Sequence, residues 1–424
     1  MKSSIHEDYD VQMKKRILII CDLFPPDILG GYELRCEEAC NWLHQKGYLI
    51  EVLTTKSSFH GNVHPFPIHR LLTKYGLGKT PPTWSFPKRM YLAIKDNLIF
   101  KRLLKNYKPD LIYVWNCTGI SRSLIPYIFS SKIRKLVDVS SSWLLKVYTQ
   151  HGPVYRVLEN NSQKTSHTLV VSAFRKIIPI ISINTVKEKF LIDFTNVMGY
   201  FTSDWNKRAH VNTIKQCESF ETIYTGVNLS EFPYQQKRPL LSDIKLLFVG
   251  RIQEEKGFNL LLDQLNFAQK KISKKIILMT AGEFLNEEER KETLDLIERL
   301  GLSKSVIFLG KIERNKLHNF YNETDFVVFP SLTQEAFSRV PLESMACGTP
   351  CISTDNPGSK ELFERKAPLI MLERSSAGLQ ESLEPFLLDS SKFQEISQAG
   401  RLFVEQSFTF DHFMEKVQGK FLFN

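Results

Sequence analysis

The stretch from Phe329 to Pro350 decides the fold. It reads Phe-Pro-Ser-Leu-Thr-Gln-Glu-Ala-Phe-Ser-Arg-Val-Pro-Leu-Glu-Ser-Met-Ala-Cys-Gly-Thr-Pro. The apolar runs 325–329 before it and 350–355 at its end are typical of buried β-strands. Between them, residues 340–347 are predicted to form a helix, because a proline favours the first helical turn and a Gly-Thr-Pro sequence ends it. Such a parallel crossover unit places its loop at the carboxyl edge of the sheet, where open α/β folds bind ligands.

Two carboxylates mark this unit, Glu335 in the loop and Glu343 in the helix. The start of the helix, near Ser338 to Val340, would offer free backbone N–H groups and a partial positive charge to a phosphate. Each carboxylate could accept hydrogen bonds from neighbouring sugar hydroxyls. Taken alone, two such glutamates are more often solvated side chains of a loop and a helix.

The sequence of this stretch closely resembles the signature Pro-Ser…Glu-Gly-Phe-Gly…Glu-Ala-Met-Ala-Cys-Gly-Thr-Pro of retaining glycosyltransferases of family 4. These enzymes are related to sucrose and glycogen synthases. The resemblance implies an α/β protein of the GT-B fold, with two facing Rossmann-like domains. It also implies transfer of a sugar from a nucleotide donor, with retained anomeric configuration and without a metal or other cofactor. In this family the second acid holds ribose hydroxyls and the first holds hydroxyls of the transferred sugar, roles that fall on Glu343 and Glu335. Ala336 and Ser338 replace glycines of the signature, which leaves the identity of the sugar open.

A second motif follows the predicted strand that ends at Gly250. Arg251 and Lys256 lie five residues apart on its exit loop and match the family's Gly-Arg…Glu-Lys-Gly motif. A departing diphosphate gains negative charge, so fixed cations there would stabilise the transition state more than the ground state. Outside this context they would be ordinary surface charges. The resemblance implies catalytic roles for Arg251, Lys256 and Glu335, and donor-binding roles for Gly30, Gly31, Gly250, Gly310, Lys311, Phe337, Ser338, Arg339, Val340 and Glu343.

The amino-terminal half begins with a predicted strand at 15–22 and the loop Phe-Pro-Pro-Asp-Ile-Leu-Gly-Gly. Gly30 and Gly31 close that loop before a helix that runs to about residue 47. A Gly-Gly pair alone predicts a tight turn; the resemblance places it beside the donor phosphates and the acceptor. After the predicted strand 135–140, Ser140 stands where many relatives carry a histidine. Asp138 and His151 are nearby alternatives, and Asp138 and Ser140 are retained as acceptor-side candidates.

Length and composition agree with two soluble domains. A chain of 424 residues is too long for a single hydrophobic core and suits two domains of about 200 residues each. No apolar run approaches the roughly 18 residues that a membrane span needs, and no signal peptide is recognisable. The seven cysteines are scattered, which predicts a reducing compartment, hence the cytoplasm, and no Cys/His spacing resembles a zinc site.

The resemblance sets the domain boundaries. We expect an acceptor-binding domain at 1–228, a nucleotide-sugar-binding domain at 229–404, and a helix at 405–424 that returns to the first domain. Residues 180–190 resemble the last strand-to-helix unit of the first domain, and 358–361 resemble a second helix start near the sugar. The chemistry is expected in the cleft.

The positive charge is concentrated in the amino-terminal half. Residues 1–230 carry 31 basic against 18 acidic side chains, whereas residues 231–424 carry 25 against 28. In the segment 70–108, ten lysines and arginines alternate with aromatic residues, and Asp96 is the single acid. Such a segment is either a solvated surface helix or a face that lies on an anionic membrane. In the second case the protein would be peripheral at the inner face of that membrane.

The sequence therefore predicts a retaining, metal-independent glycosyltransferase that moves a sugar to a hydroxyl of a glycan or lipid-linked acceptor. The expected partners are a nucleotide sugar and that acceptor, with an anionic membrane surface and without nucleic acid. The alternative is a catalytically inactive nucleotide-sugar-binding scaffold or partner subunit, which the missing histidine and the altered glycines would fit. Donor turnover distinguishes the two.

Overall fold

The computed structural model describes residues 15–59, 61, 63–76, 84–149, 192, 194–237, 240 and 243–422. The chain forms two compact units. The first comprises Met1–Tyr200, Ala209–Glu221 and Lys420–Asn424, and the second comprises Phe201–Arg208 and Thr222–Gly419. His151 and the predicted unit at 180–190 lie outside the described residues.

The first unit is built on a seven-stranded sheet with the order β3-β2-β1-β4-β5-β6-β7. Its strands are β1 (Arg16–Ile20), β2 (Leu49–Thr55), β3 (Ile68–Leu72), β4 (Leu111–Val114), β5 (Arg134–Val139), β6 (Val197–Phe201) and β7 (Glu221–Thr222). Its described helices are α1 (Gly31–Gln45), α2 (Phe86–Tyr107), α3 (Leu124–Ser130) and α4 (Trp143–Thr149), and α5 (Asp204–Val211) is divided between the units.

Strand β1 is the centre of this sheet. It pairs in parallel with β2 and with β4, so that Ile17 faces both Ile50 and Leu111. Its residues Ile17 to Ile20 are at most 1% exposed, as expected for a strand covered on both faces. The strand order reverses between β1 and β4. This position is the topological switch point, where the loops that leave the two strands diverge.

The second unit repeats this architecture with a six-stranded sheet of order β10-β9-β8-β11-β12-β13. Its strands are β8 (Ile244–Val249), β9 (Ile276–Ala281), β10 (Val306–Gly310), β11 (Phe326–Phe329), β12 (Cys351–Ser353) and β13 (Ile370–Met371). Its helices are α6 (Phe258–Lys271), α7 (Glu287–Arg299), α8 (Arg314–Glu323), α9 (Val340–Ala346), α10 (Pro357–Glu364), α11 (Gly378–Leu388), α12 (Ser390–Ser407) and α13 (Phe410–Leu422).

The core of the second unit lies on both faces of its sheet. Leu246 and Phe248 of β8 pack into one apolar cluster, and Leu247 between them packs into the other. Alternate side chains of a strand emerge on opposite faces, so an uninterrupted apolar run is what a doubly covered strand requires. The predicted α/β class and the two Rossmann-like parallel sheets are confirmed, as are the strand, helix and strand around residues 329–350.

The unit boundaries differ from the predicted ones at 228 and 404. Residues 201–208 belong to the second unit, because the backbone N–H groups of Asp204 and Trp205 donate to the Glu361 carboxylate at 3.0 and 2.5 Å. Helix α13 changes unit at Lys420. Within the first unit, the Phe421 ring lies 6.1 Å from that of Tyr48 and 6.0 Å from that of Tyr113.

Asp138 belongs to the core of the first unit, which corrects its prediction as an acceptor-side residue. Its side chain has no exposed surface, and both carboxylate oxygens accept from the Arg35 guanidinium at 2.7 and 2.8 Å. The Tyr200 hydroxyl donates to the same carboxylate at 2.7 Å, and the Trp143 indole donates to the Asp138 carbonyl. A charge this deeply buried persists because it is paired and hydrogen-bonded.

Asp96, the single acid of the basic segment, is likewise structural. It is buried on α2 and accepts from the backbone N–H and the hydroxyl of Thr73 at 3.1 and 2.9 Å. This contact fixes α2 to the end of β3 and leaves Lys88, Lys101, Arg102 and Lys105 exposed. In the described part of the chain, no helix combines the length and apolar character needed to cross a bilayer.

Candidate functional site

The loops after β8 and β11 meet at the switch point of the second sheet. Gly257, with φ of +75°, lies so close to Pro330 that an added Cβ would stand 1.9 Å from the Pro330 carbonyl oxygen. Only glycine fits such a position. The Leu332 N–H also donates to the Glu255 carbonyl at 3.1 Å. The two loops therefore form one surface at the carboxyl edge of the sheet.

This surface brings Lys256 and Glu335 together. The Lys256 ammonium donates directly to the Glu335 carboxylate, and both side chains are about one fifth exposed. The hydroxyls of Ser331 and Thr333 lie 3.3 Å from the same carboxylate oxygen, Oε1. The predicted catalytic lysine and glutamate are thus neighbours, and Oε2 of the carboxylate has no hydrogen-bond donor among the residues that the structure describes.

Arg251 lies on the same edge of the sheet but, unlike Lys256, has no partner among the described residues. Its side chain is exposed and makes neither a hydrogen bond nor an ion pair with any described residue. Beside it, the backbones at Gly250 and Gly282 lie in close contact, because an added Cβ on Gly282 would stand 1.8 Å from the Gly250 carbonyl oxygen. The Gly282 N–H donates to the Gly310 carbonyl at 2.9 Å, and Lys311 follows with an exposed side chain. Three glycines therefore line the carboxyl ends of β8, β9 and β10.

Glu343 occupies a buried polar cluster that includes residues absent from the sequence prediction. Its carboxylate, in a residue that is 4% exposed, accepts from Arg314 Nη1 at 3.1 Å and from the Tyr321 hydroxyl at 3.0 Å. The predicted donor-binding residue Arg339 is the third partner, with its Nε 3.6 Å away. Arg314 and Tyr321 lie seven residues apart on α8, and this spacing places two side chains on one helix face. That polar pair was the available sequence signal.

A buried lysine binds the end of the helix that carries Arg314 and Tyr321. Lys237 donates to three backbone carbonyls at the end of α8, those of Tyr321, Asn322 and Thr324, at 2.9, 2.9 and 2.7 Å. These acceptors are carbonyls that a helix terminus leaves without intrahelical partners. Burial lowers the pKa of Lys237 to about 8. No pattern in the sequence signals this contact.

The loop between β11 and α9, residues 330–339, is called the central loop, and its remaining residues differ in their contacts. Helix α9 begins at Val340 as predicted, and the Val340 N–H donates to the Ser338 hydroxyl at 3.4 Å. The Phe337 side chain packs against other aromatic residues, and its donor-binding role stays a prediction. Its ring stacks on Phe408 at 6.1 Å and packs against Tyr224 at 5.0 Å, inside the aromatic core of the second unit.

Helix α10 begins at Pro357 near the central loop, since the Gly358 N–H donates to the Glu335 carbonyl at 3.0 Å. Its acid Glu361 binds the backbone of residues 204 and 205 and the Tyr224 hydroxyl at 2.8 Å. Glu361 therefore orders the start of α5.

In the first unit, Gly30 and Gly31 lie at the carboxyl end of β1, where α1 begins. An added Cβ would meet nothing within 4 Å at either position, and neither glycine has a positive φ. Packing within the chain therefore gives no reason for the two glycines, whereas the close approach of a ligand would. The Gly30 N–H donates to the Glu33 carboxylate at 3.0 Å. Ser140 directly follows β5 at the same edge and is half-buried.

Asp22, which the sequence did not single out, ties the loops at the switch point of the first sheet. Its carboxylate accepts from the Thr118 hydroxyl and the Gly119 N–H, both at 3.1 Å, and from the Leu23 N–H at 2.9 Å. Burial raises the pKa of Asp22 to about 6 and that of Glu33 to about 7. Among the described residues, no three His, Cys, Asp or Glu side chains are grouped as a metal site.

Comparison with known families now bears on this geometry. Residues 233–403 match the family model described as Glycosyl transferases group 1. The matched range contains all six strands of the second sheet and both loops that hold Lys256 and Glu335. Residues 233–403 are therefore similar to a glycosyl transferases group 1 domain.

A curated relative agrees over part of its length. The putative glycosyltransferase YtcC of Bacillus subtilis is 21% identical over 233 residues, which are 51% of this chain and 57% of that protein. The match thus spans less than two thirds of this relative.

Solved structures resemble the whole chain. Sucrose-phosphate synthase from Thermosynechococcus elongatus superposes with a TM-score of 0.68 at 19% identity, covering 96% of this chain and 98% of that one. Anabaena Alr3699/HepE in complex with UDP-glucose superposes with a TM-score of 0.65 at 17% identity, covering 96% and 99%. At these identities the likeness establishes the fold, which is of the GT-B type.

Within residues 233–403, four residues that the sequence analysis singled out lie at the edge where it expected a ligand. Lys256, Glu335, Gly250 and Gly310 lie at the carboxyl edge. The residues that it missed, Arg314, Tyr321 and Lys237, come from a helix and a linker that no motif marks.

Asp22 makes stability depend on pH. Because its pKa is raised from 3.8 to about 6, the native state keeps a proton that the unfolded state loses. Asp22 should therefore contribute a fall of at most about 3 kcal/mol in the free energy of unfolding as the pH rises from 4 to 6, in addition to the fall caused by Glu33. Asp22→Asn should remove the Asp22 contribution and so flatten the profile, as measured by urea unfolding at pH 4, 5, 6 and 7. Asp27→Asn, in the same loop, should retain it; an unchanged pH profile for Asp22→Asn would contradict the assignment.

Proposed function

We propose that the protein is a retaining glycosyltransferase of family 4 that transfers a sugar from a nucleoside diphosphate sugar to a hydroxyl of an acceptor. The group 1 domain supports the transferase class. The Anabaena protein, whose structure was solved in complex with UDP-glucose, supports the donor class by likeness. The nucleotide sugar would be bound by the second unit and the acceptor by the first.

The contact between Lys256 and Glu335 is the observation that carries this proposal. An ammonium has three donors, so Lys256 can hold the carboxylate and still donate to a phosphate oxygen. The exposed Arg251 offers a second cation with no competing partner among the described residues. Two fixed cations and an acid thus suit a ligand with a phosphate at one end and hydroxyls at the other.

The proposed reaction is a transfer with retained anomeric configuration. The bond between the anomeric carbon and the diphosphate oxygen breaks, and a bond from that carbon to the acceptor oxygen forms on the same face. The acceptor proton passes to the departing phosphate oxygen. Arg251 and Lys256 stabilise the negative charge that grows on the diphosphate, which is the role a metal would otherwise fill.

Glu343 is proposed to hold the ribose hydroxyls. A carboxylate has about four acceptor positions, and Arg314, Arg339 and Tyr321 are grouped on its two oxygens. These partners hold the carboxylate in place, so that it can accept from ribose hydroxyls without first being ordered.

Lys256→Ala should lower the turnover number by about 100-fold, the size of the loss of one transition-state donor, while the dissociation constant for the donor changes less. Turnover is measured as release of nucleoside diphosphate, with acceptor or with water. Lys245→Ala removes an exposed lysine from β8 and should leave turnover unchanged. A wild-type rate in Lys256→Ala would place the chemistry elsewhere, and donor binding without turnover in the wild type would favour the inactive scaffold.

Glu343→Gln should weaken donor binding about tenfold, because the amide keeps the shape but loses one acceptor oxygen and the charge that pairs with Arg314. Calorimetry with the nucleoside diphosphate measures the dissociation constant. Glu323→Gln, an exposed acid at the end of α8, is the matched control. Equal affinities in the two variants would remove Glu343 from the binding site.

Helix α2 is proposed to lie on an anionic membrane surface that presents a lipid-linked acceptor. Its outer face exposes Lys88, Lys101, Arg102 and Lys105 together with Tyr91 and Leu98, which are 66% and 59% exposed. Its single acid is turned inward. A face of cations and amphipathic side chains without acids is what interfacial helices show.

Vesicle flotation tests this face. The double variant K101Q/R102Q should weaken the affinity for anionic vesicles about 30-fold, since each cation near the surface contributes about 1 kcal/mol. The variant K270Q/K271Q removes two exposed lysines from α6 and should float like the wild type. Equal recovery of the wild type with neutral and anionic vesicles would rule out the electrostatic contact.

A further inference from the structure

The loop after β4, residues 117–123, lies at the switch point of the first sheet and has no role in the donor chemistry. It is firmly held. The Gly119 N–H donates to the Asp22 carboxylate, the Tyr75 N–H donates to the Gly119 carbonyl at 2.8 Å, and Ser121 is 3% exposed. Topological switch points are where open α/β sheets bind ligands.

Arg122 on this loop is a half-buried cation with no partner among the residues that the structure describes. Its Nη1 atom is buried and has no hydrogen-bond acceptor, and no carboxylate of the described chain forms an ion pair with it. The Cys117 thiol is the titratable group beside it, and burial lowers the pKa of Arg122.

Other arginines of the first unit differ from Arg122. Arg35 donates to the Asp138 carboxylate, Arg70 to the Phe24 carbonyl at 3.0 Å, and Arg89 to the Trp84 carbonyl at 2.7 Å. A desolvated guanidinium without an acceptor destabilises a fold, so it is retained where a ligand supplies the acceptor. The planar fork of arginine fits phosphate oxygens in pairs.

The loop and the neighbouring Tyr75 carry four hydroxyl groups. The Ser121 and Ser123 hydroxyl oxygens are 2.9 Å apart, and the Tyr75 hydroxyl lies beside Ser121. Thr118, on the same loop, is half-buried. Hydroxyls can donate to an anion or accept from sugar hydroxyls, so the loop combines one cation with groups that suit a phosphorylated sugar.

We infer that Arg122 binds a phosphate group of the acceptor substrate at the switch point of the first sheet. That the phosphate belongs to the acceptor rests on the proposed function, whereas the phosphate site itself does not. A soluble sugar phosphate and a lipid-linked phosphate would both present this chemistry.

The test is thermal unfolding of the full chain against inorganic phosphate at constant ionic strength, with UDP at saturation so that the donor site is filled. Phosphate that binds the native state raises the melting temperature. The wild type should show a phosphate-dependent rise, and Arg122→Gln should lose at least two thirds of it. Arg122→Lys should keep part of it, and Lys132→Gln, which removes an exposed cation from the same unit, should keep all of it.

The melting temperature without phosphate separates a ligand role from a structural one. Because Arg122 has no acceptor in the described chain, Arg122→Gln should melt at or above the wild-type temperature. A drop of more than about 3 °C, of the size expected when a unit of about 200 residues loses about 1 kcal/mol, would reveal a protein partner and overturn the inference. An unchanged phosphate response in Arg122→Gln would overturn it as well.

Vesicles identify the source of the phosphate. Flotation with phosphatidic acid vesicles should fall in Arg122→Gln if the phosphate is carried by a lipid, and should be unchanged if it is soluble, provided that the phosphate response is lost in both cases. If UDP itself fails to raise the melting temperature, the donor proposal fails, and the phosphate titration without UDP still compares Arg122→Gln with the wild type.

Discussion

The approach of Gly257 to the Pro330 carbonyl is the constraint on which the second unit's site depends. Strands β8 and β11 are neighbours, but their exit loops lead to helices that lie in different parts of the sequence. A side chain at position 257 would hold the loops apart and separate Lys256 from Glu335. The close backbone contact therefore sets the position of a cation relative to an acid, which neither loop could do alone. Fixed charges of this kind stabilise a transition state without the cost of ordering them during the reaction.

Buried acids perform the corresponding task elsewhere in the chain. Asp22 ties the loop after β4 to the end of β1, Asp96 fixes α2, Asp138 pairs with Arg35, and Glu361 holds the start of α5. Each replaces water with backbone N–H groups, hydroxyls or a guanidinium, as buried carboxylates require. One consequence concerns the surface. Because several acids of the first unit are turned inward, its excess of basic side chains is more prominent at the surface than the composition suggests, and α2 exposes cations without acids.

These contacts explain how much the sequence could predict. The strands and helices around residues 329–350 follow from local apolar runs and from proline and glycine, and the edge loops follow from parallel topology. The contacts of Asp138, Phe337 and Glu361 could not be predicted because their partners are distant in sequence. Asp138 meets Arg35 across 103 positions, and Glu361 meets Asp204 across 157. A motif states which residue type stands at a position, but the direction of its side chain depends on the packing around it. The boundary near residue 201 was missed for the same reason, since the Glu361 contact decides it.

The two cations of the second unit differ in a way that orients a ligand. Lys256 already touches Glu335, so a phosphate that binds Lys256 is brought close to a negative charge. That charge is acceptable only if hydroxyl donors share the carboxylate, and Ser331 and Thr333 lie within 3.3 Å of one of its oxygens. Under the proposed function, the hydroxyl-bearing sugar would lie on the Glu335 side, where it could donate to the other oxygen. Arg251 has no acid beside it in the described chain, so the diphosphate is held best on that side. A ligand placed in the reverse direction would set phosphate against carboxylate and leave Arg251 without an anion.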